Sequence, residues 1–369
     1  MFDAGIVGGG GIVGCAIARE LAGHGLSVAA IEKHPTACQE TSALNSRVIH
    51  SGFHEIPGTL KAELAREGSR LIIRYAEERG VKLLRTGMLI AVPHGSIRAG
   101  LWREAGALWK MWAQGRQQNI PFRVVLTAGG VQRIAPIQAM SGIFIPSVCV
   151  IDLETLMQLL LNDAKTAGAQ FFFGSEVIGI DVQASHHVIH TIRGAIEART
   201  LINSAGLAAK EISQMAGGPK YDIEFVRGDY YEMKGGIERW GIRTLVYPAM
   251  PPRSRSKGIH FGPRTDGRLY IGPSATPLSE PAPKPVFLEA ARRFLPQISD
   301  DDLEWSYAGV RSTRVAENGK SDFTIRLERQ TPPFINLIGI DSPGLSASMG
   351  IARYVAEMIL RRSVPPMAQ

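Results

Sequence analysis

The sequence predicts an α/β fold that opens with a dinucleotide-binding βαβ unit and contains a second, strand-rich part. Three observations carry this prediction. Residues 6–14 read as a buried strand that turns sharply into a helix, and a second apolar strand follows at residues 27–31. Residues 221–300 are rich in strand-forming residues, Pro and Gly. This segment differs in composition from the opening and indicates a separate sheet.

The opening turn has the spacing G-x-G-x-x-G at Gly9, Gly11 and Gly14. The first glycine allows the tight turn, the second lets the backbone approach a pyrophosphate, and the third lets the helix pack closely on the strand. The free N–H groups of the following helix would then face the phosphates. Glu32 ends the second strand, where a carboxylate accepts hydrogen bonds from ribose hydroxyls. This order favours a dinucleotide site over an ordinary glycine-rich turn.

Apolar spacing predicts the remaining elements. We expect helices over residues 60–79, 97–118, 151–167 and 345–361, and strands over 86–92, 169–180, 201–206 and 334–340. Gly80 is expected to end the second helix, and Gly25 to adopt a left-handed conformation after the first. The helix over 97–118 carries Trp102, Trp109 and Trp112, and we expect this aromatic stripe to pack in the core or between domains.

The composition restricts the class of protein. The 369 residues, 45% of them hydrophobic, suffice for two domains. The formal charge of +7 suits anionic ligands, and no basic block or aromatic–basic stripe predicts a nucleic-acid site. Three cysteines form neither a disulfide framework nor a zinc pattern, so we expect a cytoplasmic protein without a metal. Neither a membrane span nor a signal peptide is expected, although the positive charge favours peripheral contact with an anionic membrane face.

Further segments resemble those of flavin-dependent oxidoreductases of the D-amino-acid-oxidase superfamily, and within it the L-2-hydroxyglutarate dehydrogenase/oxidase group. They are the glycine turn with Glu32-Lys33, NSRVIHSGF from Asn45, RGDYY from Arg227, LVYP from Leu245, GIHFGPRTDGRLYIGP from Gly258, AGVRST from Ala308, DFTI from Asp322 and DSPGLSAS from Asp341. The IHSG part is also similar to its counterpart in flavin-dependent glycerol-3-phosphate dehydrogenases. The resemblance covers nearly the whole chain.

The resemblance implies a doubly wound FAD-binding domain with an inserted, mostly antiparallel β substrate domain. We place the first at residues 1–90, 150–220 and 305–369, and the second at residues 91–149 and 221–304. FAD would lie extended, with its flavin ring between the domains. The residues expected to hold it are Gly9, Gly10, Gly11, Ile12, Val13, Gly14, Glu32, Lys33, Thr41, Ser42, Asn45, Ser46, Val48, Val177, Ala205, Gly206, Leu207, Gly309, Arg311, Ser342, Pro343, Gly344, Leu345 and Ser346.

Oxidation of a 2-hydroxy acid on a flavin needs a base for the hydroxyl proton, a cation for the carboxylate and a Cα–H that faces flavin N5. His50 is the expected base, because it follows the polar loop after the second strand and its imidazole titrates near neutral pH. His260 is the competing candidate. Arg311 is the expected carboxylate clamp, since a guanidinium matches a carboxylate in a bidentate pair. Tyr247 and Tyr230 are candidates to offer hydroxyls to the substrate.

Other polar residues have plainer interpretations. His186, His187 and His190 fall in a polar, hairpin-like stretch and are expected to be solvated, and Arg264 is expected to be a turn or surface residue. The same kind of interpretation remains open for the site itself. His50 would then be a structural histidine and Arg311 part of a salt bridge.

We therefore expect FAD-dependent oxidation of a small 2-hydroxy acid, L-2-hydroxyglutarate or a relative, to the 2-oxo acid. Two stretches depart from the group: residues 147–149 are Ser-Val-Cys where His-Thr-Gly is usual, and residues 208–210 are Ala-Ala-Lys where Tyr-Ser-Asp is usual. The alternatives are oxidation of a small amino or N-methylamino acid, oxidation of glycerol 3-phosphate, and a non-catalytic flavin-binding redox sensor. The electron acceptor (a quinone, an electron-transfer flavoprotein or oxygen) and the oligomeric state stay open.

Overall fold

The chain begins with the βαβ unit that the sequence predicts. A computed structural model describes residues 1–93, 101–250, 257–314 and 321–363, with the backbone alone for residues 101–105, 107, 362 and 363. Phe2–Val7 and Val28–Ile31 are neighbouring parallel strands joined by the helix Ile12–Gly23. A Cβ atom on Gly14 would lie 2.2 Å from the carbonyl oxygen of Gly8, so only glycine permits this close packing of helix on strand.

The described elements alternate between short strands and ten α-helices. In chain order the strands are β1 (Phe2–Val7), β2 (Val28–Ile31), β3 (Val48–Ile49), β4 (Leu83–Leu84), β5 (Met88–Pro93), β6 (Arg123–Val125), β7 (Ala139–Ile145), β8 (Cys149–Ile151), β9 (Gln170–Phe172), β10 (Val177–Val182), β11 (His187–Thr191), β12 (Gly194–Asn203), β13 (Glu224–Met233), β14 (Leu245–Pro248), β15 (His260–Pro263), β16 (Leu269–Gly272), β17 (Thr276–Pro277), β18 (Leu303–Thr313), β19 (Thr324–Gln330) and β20 (Pro333–Ile338). The helices are α1 (Ile12–Gly23), α2 (Glu40–Ala43), α3 (Leu60–Arg79), α4 (Leu101–Gln117), α5 (Ala128–Gln132), α6 (Leu153–Thr166), α7 (Ala209–Met215), α8 (Gly236–Trp240), α9 (Lys284–Arg292) and α10 (Gly344–Ser363).

An eight-stranded sheet carries the βαβ unit. Its order is β10-β11-β12-β1-β2-β9, and β20 pairs with β12 and with β19. Within it, β1 runs parallel to β12 and to β2, β2 runs parallel to β9, and β12 runs parallel to β20. β19 runs antiparallel to β20. The helices α1, α3 and α10 pack together, and their apolar faces share one core with the sheet, including Ile17, Leu64 and Val355. The first and last helices of the chain therefore lie side by side at the glycine turn.

A nine-stranded sheet forms the second large layer. Its order is β17-β13-β16-β15-β14-β5-β7-β6, with β18 beside β13. Its strands are antiparallel except for β5 and β14, which run parallel with Met88 opposite Leu245. Phe261 of β15 and Phe287 of α9 belong to the core that covers one face. On the other face, Met88 and Ile90 of β5 belong to a second core, while residues of β13, β14 and β18 line the cavity described below.

A small three-stranded sheet, in the order β3-β8-β4, connects the two large sheets. Val48 pairs with Val150 and Ile49 with Cys149. This pairing holds the chain just before His50 and fixes where that side chain enters the interior.

The predicted domain division remains a prediction, with two features that bear on its boundaries. β5 starts at Met88, and β18 covers Leu303–Thr313; both strands lie in the nine-stranded sheet. Residues 88–90 and 305–313, which the predicted division places in the FAD-binding domain, therefore belong to the nine-stranded sheet.

Most element predictions are confirmed. The helix Leu60–Arg79 has the predicted bounds; Thr59 caps its start, and Gly80 ends it in the left-handed region with φ of 68°. The helix expected from residue 151 begins instead at Leu153, because Ile151 belongs to β8 and the Asp152 carboxylate accepts a hydrogen bond from the Thr155 N–H. The helix expected over 97–118 covers Leu101–Gln117, and residues 97–100 lie outside the described residues.

The expected exposure of the α4 tryptophans and of His187 is wrong. Trp109 and Trp112 do not pack in the core: their side chains are 69% and 36% exposed, and the Trp102 side chain lies outside the described residues. His187 of β11 is buried rather than solvated, and its ring Nε2 lies 3.0 Å from the carbonyl oxygen of Pro333 in β20. His190 remains partly exposed and pairs with Asp181.

Candidate active site

One large cavity of about 1210 Å³ is lined by both large sheets. Its wall includes the glycine turn after β1, the loop around α2, the chain after β3, the strands β13, β14 and β18, and the turn before α10. Segments from both ends and the middle of the chain therefore reach one continuous space.

The glycine turn presents its backbone to one end of this cavity. The N–H of Gly10 donates to Glu32 Oε2 at 3.1 Å, and the other carboxylate oxygen accepts from the His34 N–H at 3.0 Å. Glu32 is thereby held against the turn with only 8% of its surface exposed. A Cβ atom on Gly11 would meet nothing closer than 3.5 Å, so the protein itself leaves the space above this residue open. The arrangement fits a phosphate group over the helix start and a hydroxyl at Glu32.

Nearly all predicted cofactor residues line the cavity. Gly9, Gly14 and Ser346 do not; they lie behind its wall, where the two glycines allow close packing and Ser346 is fully buried. The residues that do line it are Gly10, Gly11, Ile12, Val13, Glu32, Lys33, Thr41, Ser42, Asn45, Ser46, Val48, Val177, Ala205, Gly206, Leu207, Gly309, Arg311, Ser342, Pro343, Gly344 and Leu345.

The loop over residues 41–46 is fixed from both sides. Thr41 Oγ1 donates to the Val310 carbonyl at 2.8 Å, and Ser42 Oγ accepts from the Ile12 N–H at 3.0 Å. Asn45 Nδ2 donates to the carbonyl oxygen of Ser42 at 2.8 Å. The loop therefore forms hydrogen bonds with both α1, which packs on the eight-stranded sheet, and β18 of the nine-stranded sheet. It thus links the two large sheets beside the cavity.

Arg264 begins a turn, as one half of its expectation had it, because its N–H donates to the Arg268 carbonyl and its own carbonyl accepts from the Gly267 N–H. The other half, that Arg264 lies at the surface, is wrong. It is 6% exposed, because the rings of Tyr270 and Tyr307 lie beside its guanidinium at 4.8 and 5.7 Å from their centroids. Its Nη2 donates to the Asn45 carbonyl at 3.1 Å, and Tyr307 Oη donates to the same oxygen at 2.9 Å. Arg264 thus supports the 41–46 loop from the side of the nine-stranded sheet.

His50 enters the cavity from the end of β3. Its backbone N–H donates to Ser346 Oγ at 2.8 Å, and its ring Nδ1 is buried without a hydrogen-bond partner. Burial, reinforced by the positive charge of Lys257, holds the pKa of His50 well below its usual value. The imidazole is therefore neutral at neutral pH and offers one acceptor nitrogen.

Tyr247 lies among three histidines. Its ring stacks on His260 with centroids 3.9 Å apart, and its hydroxyl lies 3.0 Å from His260 Nε2. The rings of His50 and His54 lie 6.1 and 5.6 Å from the Tyr247 ring. Burial is the main cause that lowers the pKa of His54 and His260 to about 3 and raises that of Tyr247 well above its usual value. All four groups are thus uncharged at neutral pH.

Arg311 lies on β18 opposite Val226 of β13 and lines the cavity. It forms no ion pair with any acid in the part of the chain that the structure describes. This geometry disfavours the salt-bridge interpretation and leaves the guanidinium able to receive a carboxylate. Arg311 and His50, the predicted carboxylate clamp and the predicted base, line the same cavity.

Three site residues were not anticipated from the sequence. His54, Glu55 and Lys257 line the cavity, and Lys257 Nζ pairs with Glu55 Oε1 at 2.8 Å. Their positions in the sequence could have indicated them, because His54 and Glu55 directly follow the segment NSRVIHSGF and Lys257 directly precedes GIHF. The pair places one further cation and one acid beside the histidines.

No group of three metal-ligating side chains lies within the described ranges. Likewise, none of the described helices combines the length and apolar character required to cross a bilayer.

Comparison with known proteins identifies the family. Residues 3–358 match the model described as FAD dependent oxidoreductase. The chain belongs to this family. This FAD-dependent oxidoreductase is 26% identical to an L-2-hydroxyglutarate dehydrogenase from Indibacter alkaliphilus, over 97% of this chain and 98% of the relative. It is 28% identical to a glycerol 3-phosphate dehydrogenase from Caloramator mitchellensis, over 97% of this chain and 74% of the relative.

Solved structures give the same fold. L-alpha-glycerophosphate oxidase from Mycoplasma pneumoniae, with FAD bound, superposes with a TM-score of 0.86 at 25% identity, over 97% of this chain and 94% of the other. Glycine oxidase from Geobacillus kaustophilus superposes with a TM-score of 0.80 at 22% identity, over 98% and 95%. The α/β fold class, with parallel and antiparallel sheets, is confirmed, as is FAD as the cofactor.

The residues of this FAD-dependent oxidoreductase fit its cofactor. The open backbone at Gly11 and the start of α1 suit the pyrophosphate, and Glu32 suits a ribose. The loop over residues 41–46 and the turn before α10 line the rest of the same cavity. Bound FAD supplies an acceptor for a hydride.

Proposed function

We propose that the protein oxidises a small 2-hydroxy acid, L-2-hydroxyglutarate or a relative, to the 2-oxo acid, with flavin N5 as the hydride acceptor. The observation that carries this proposal is that Arg311, which forms an ion pair with none of the described acids, and a neutral, buried His50 line one cavity. These are the cation and the base that the oxidation of a 2-hydroxy acid requires.

His50 takes the hydroxyl proton in this proposal. A neutral imidazole is the competent form of a base, and the lowered pKa keeps His50 in that form at neutral pH. The positive charge of Lys257 contributes to that lowering. An anionic substrate bound beside Lys257 would offset this charge, raise the pKa of His50 and strengthen it as a base when substrate is present.

Arg311 binds the carboxylate next to the reacting carbon. A bidentate pair would fix the substrate and its Cα–H in one orientation. Lys257 offers a site for a second anionic group, although Glu55 already partly neutralises it. Arg311 and Lys257 together suit a substrate such as 2-hydroxyglutarate, which carries two carboxylates.

Glycerol 3-phosphate is the second candidate substrate. It too carries a hydroxyl and a doubly charged group, and proteins named for this substrate are among the relatives of similar sequence and structure. An amino acid as substrate has weaker support, since the similarity to glycine oxidase at 22% identity concerns the fold.

Anaerobic bleaching of the flavin tests the proposal directly. Purified holoenzyme is mixed with L-2-hydroxyglutarate, its D-enantiomer, glycerol 3-phosphate, sarcosine, glycine and D-alanine in turn. We expect L-2-hydroxyglutarate to bleach the visible flavin absorbance fastest. Fastest bleaching by glycerol 3-phosphate or by an amino acid would replace the proposal. A flavin that none of these compounds reduces would favour the redox-sensor alternative.

The electron acceptor is a separate question. A quinone analogue, an electron-transfer flavoprotein and oxygen each remain a candidate, and the rate at which each reoxidises the bleached enzyme distinguishes them. The expected cytoplasmic location and peripheral membrane contact also stay predictions, and the catalytic proposal depends on neither.

A further inference from the structure

Helix α4 exposes two large aromatic side chains. The Trp109 and Trp112 side chains are 69% and 36% exposed, and their rings stack with centroids 5.0 Å apart and planes inclined by 21°. Two indoles one helical turn apart form a contiguous apolar surface rather than a scattered exposed residue. An exposed stacked pair of this kind is a candidate contact surface.

Beyond Glu104, the chain of α4 and of the segment after it is uniformly basic. Residues 105–151 contain no Asp or Glu, and they carry Lys110, Arg116, Arg123 and Arg133. Arg116 lies with its guanidinium 5.9 Å from the Trp112 ring centroid. Lys110, Arg116 and Arg123 are exposed, and none of the three forms an ion pair with a described acid. Exposed basic side chains that pair with none of the described acids thus lie in the same segment as the two tryptophans, and Arg116 lies beside Trp112.

Exposed aliphatic side chains follow in the same segment. β6 is an edge strand of the nine-stranded sheet, and Val124 and the following Leu126 are 47% and 80% exposed. Phe122, just before that strand, packs close to Gly115 of α4. The helix and the edge strand are therefore neighbours, and both carry apolar groups outward.

We propose that α4 and β6 dock the protein onto an anionic lipid surface. Tryptophan is the side chain best suited to the boundary between headgroups and acyl chains, because its ring is apolar and its N–H is polar. Lysine and arginine are attracted to the negative surface potential of anionic lipids. A second copy of this chain fits less well, because a two-fold contact through this surface would oppose the same cations. The proposal is independent of the substrate.

Docking would bring the cavity close to the lipid surface. Lys110, Met111 and Gln114 of the same helix line the cavity wall, while Trp109 and Trp112 do not. The helix is therefore shared between the site and the proposed docking surface.

Vesicle co-sedimentation tests the docking surface. Holoenzyme is mixed with vesicles of phosphatidylcholine alone or with added phosphatidylglycerol. We expect binding only to the anionic vesicles, and weaker binding as salt rises. Trp109→Ser with Trp112→Ser should lower the vesicle partition coefficient about tenfold or more, with flavin content unchanged. Arg116→Gln with Arg123→Gln should also weaken binding.

Trp305→Ser is the matched control, because Trp305 is 55% exposed on β18 and lies outside the cavity wall. Quenching of tryptophan fluorescence by brominated lipid in the unsubstituted protein checks contact without a substitution. Absence of binding to anionic vesicles, or an equal loss in Trp305→Ser, would overturn the proposal. So would a tryptophan variant that changes only the oligomeric state.

Discussion

Ser346 in the last helix accepts a hydrogen bond from the backbone N–H of His50 at 2.8 Å, although 296 residues separate them in sequence. The same hydroxyl donates to the Val48 carbonyl at 3.3 Å. The last helix therefore fixes the strand that presents the proposed base. Because α10 also packs against α1, which follows the glycine turn, this helix contacts both the strand of the proposed base and the helix of the cofactor turn.

His50→Ala should slow anaerobic flavin reduction by about two to four decades, because the hydroxyl proton loses its acceptor. Stopped-flow bleaching measures this rate. His190→Ala is the control, since His190 pairs with Asp181 at the surface away from the cavity. An unchanged rate in His50→Ala would move the base to His260 or to no single residue.

Arg311→Ala should raise KM and weaken binding of carboxylate inhibitors about 100-fold, because it removes a charge-assisted bidentate pair. Arg311→Lys should recover only part of this affinity, since an ammonium cannot form the same pair. Titration of the flavin spectrum with 2-oxoglutarate measures binding without turnover. Unchanged inhibitor affinity in Arg311→Ala would remove the residue from the substrate site.

Glu55→Gln should strengthen the binding of doubly charged ligands, because it removes the carboxylate that pairs with Lys257. We expect glutarate to bind about three- to tenfold more tightly and valerate, a monoanion of equal length, to change little. Glu289→Gln is the control, as Glu289 is exposed and outside the cavity wall. Parallel changes for both ligands would mean that Lys257 does not select between them.

The buried histidines should make the protein sensitive to acid. Their lowered pKa means that the unfolded chain binds protons below pH 6.5 that the folded chain refuses, so stability falls as pH falls from 6.5 towards 3. In this window each histidine lowers the free energy of unfolding by about 1.4 kcal/mol for every unit by which the pH falls. Unfolding midpoints at pH 7 and pH 5 measure the effect.

His260→Gln should flatten this acid dependence, whereas the exposed-site variant His190→Gln should not. Equal acid sensitivity of His260→Gln and the unsubstituted protein would show that His260 is not held neutral by the fold.

Gly11→Ala should weaken FAD binding while the apoprotein stays folded. The added methyl group meets no protein atom closer than 3.5 Å, so it should leave the fold intact. It would instead occupy space that the pyrophosphate needs near the backbone. Gly23→Ala, with no atom within 4 Å of its Cβ, is the control in the same helix. Flavin fluorescence during titration of apoprotein with FAD measures the affinity. Equal affinity for both variants would place the pyrophosphate away from Gly11.

Local patterns were enough for the cofactor half of the site. The glycine spacing, the helix Leu60–Arg79 with its Gly80 end, and the acid Glu32 all follow from residues close in sequence. Such signals are readable because a turn, a helix cap and an apolar stripe each depend on a few neighbouring side chains. The family resemblance extended this to His50 and Arg311.

Exposure was where local patterns misled. The tryptophan stripe of α4 has the spacing of a core helix, yet Trp109 and Trp112 face outward, because periodicity gives a face but not its direction. The polar stretch around His187 and the turn at Arg264 suggest exposure, yet tertiary partners bury both side chains.

The sequence was sufficient for the α/β class, the FAD turn and the identity of the proposed base and carboxylate clamp, because each rests on a short segment. Folding was needed to bring Lys257 to Glu55, Tyr247 to His260 and Ser346 to His50. It also set the charge state of the buried histidines. Contacts between distant segments, and the burial that shifts a pKa, arise only when the sheets and helices pack, and no local pattern encodes them.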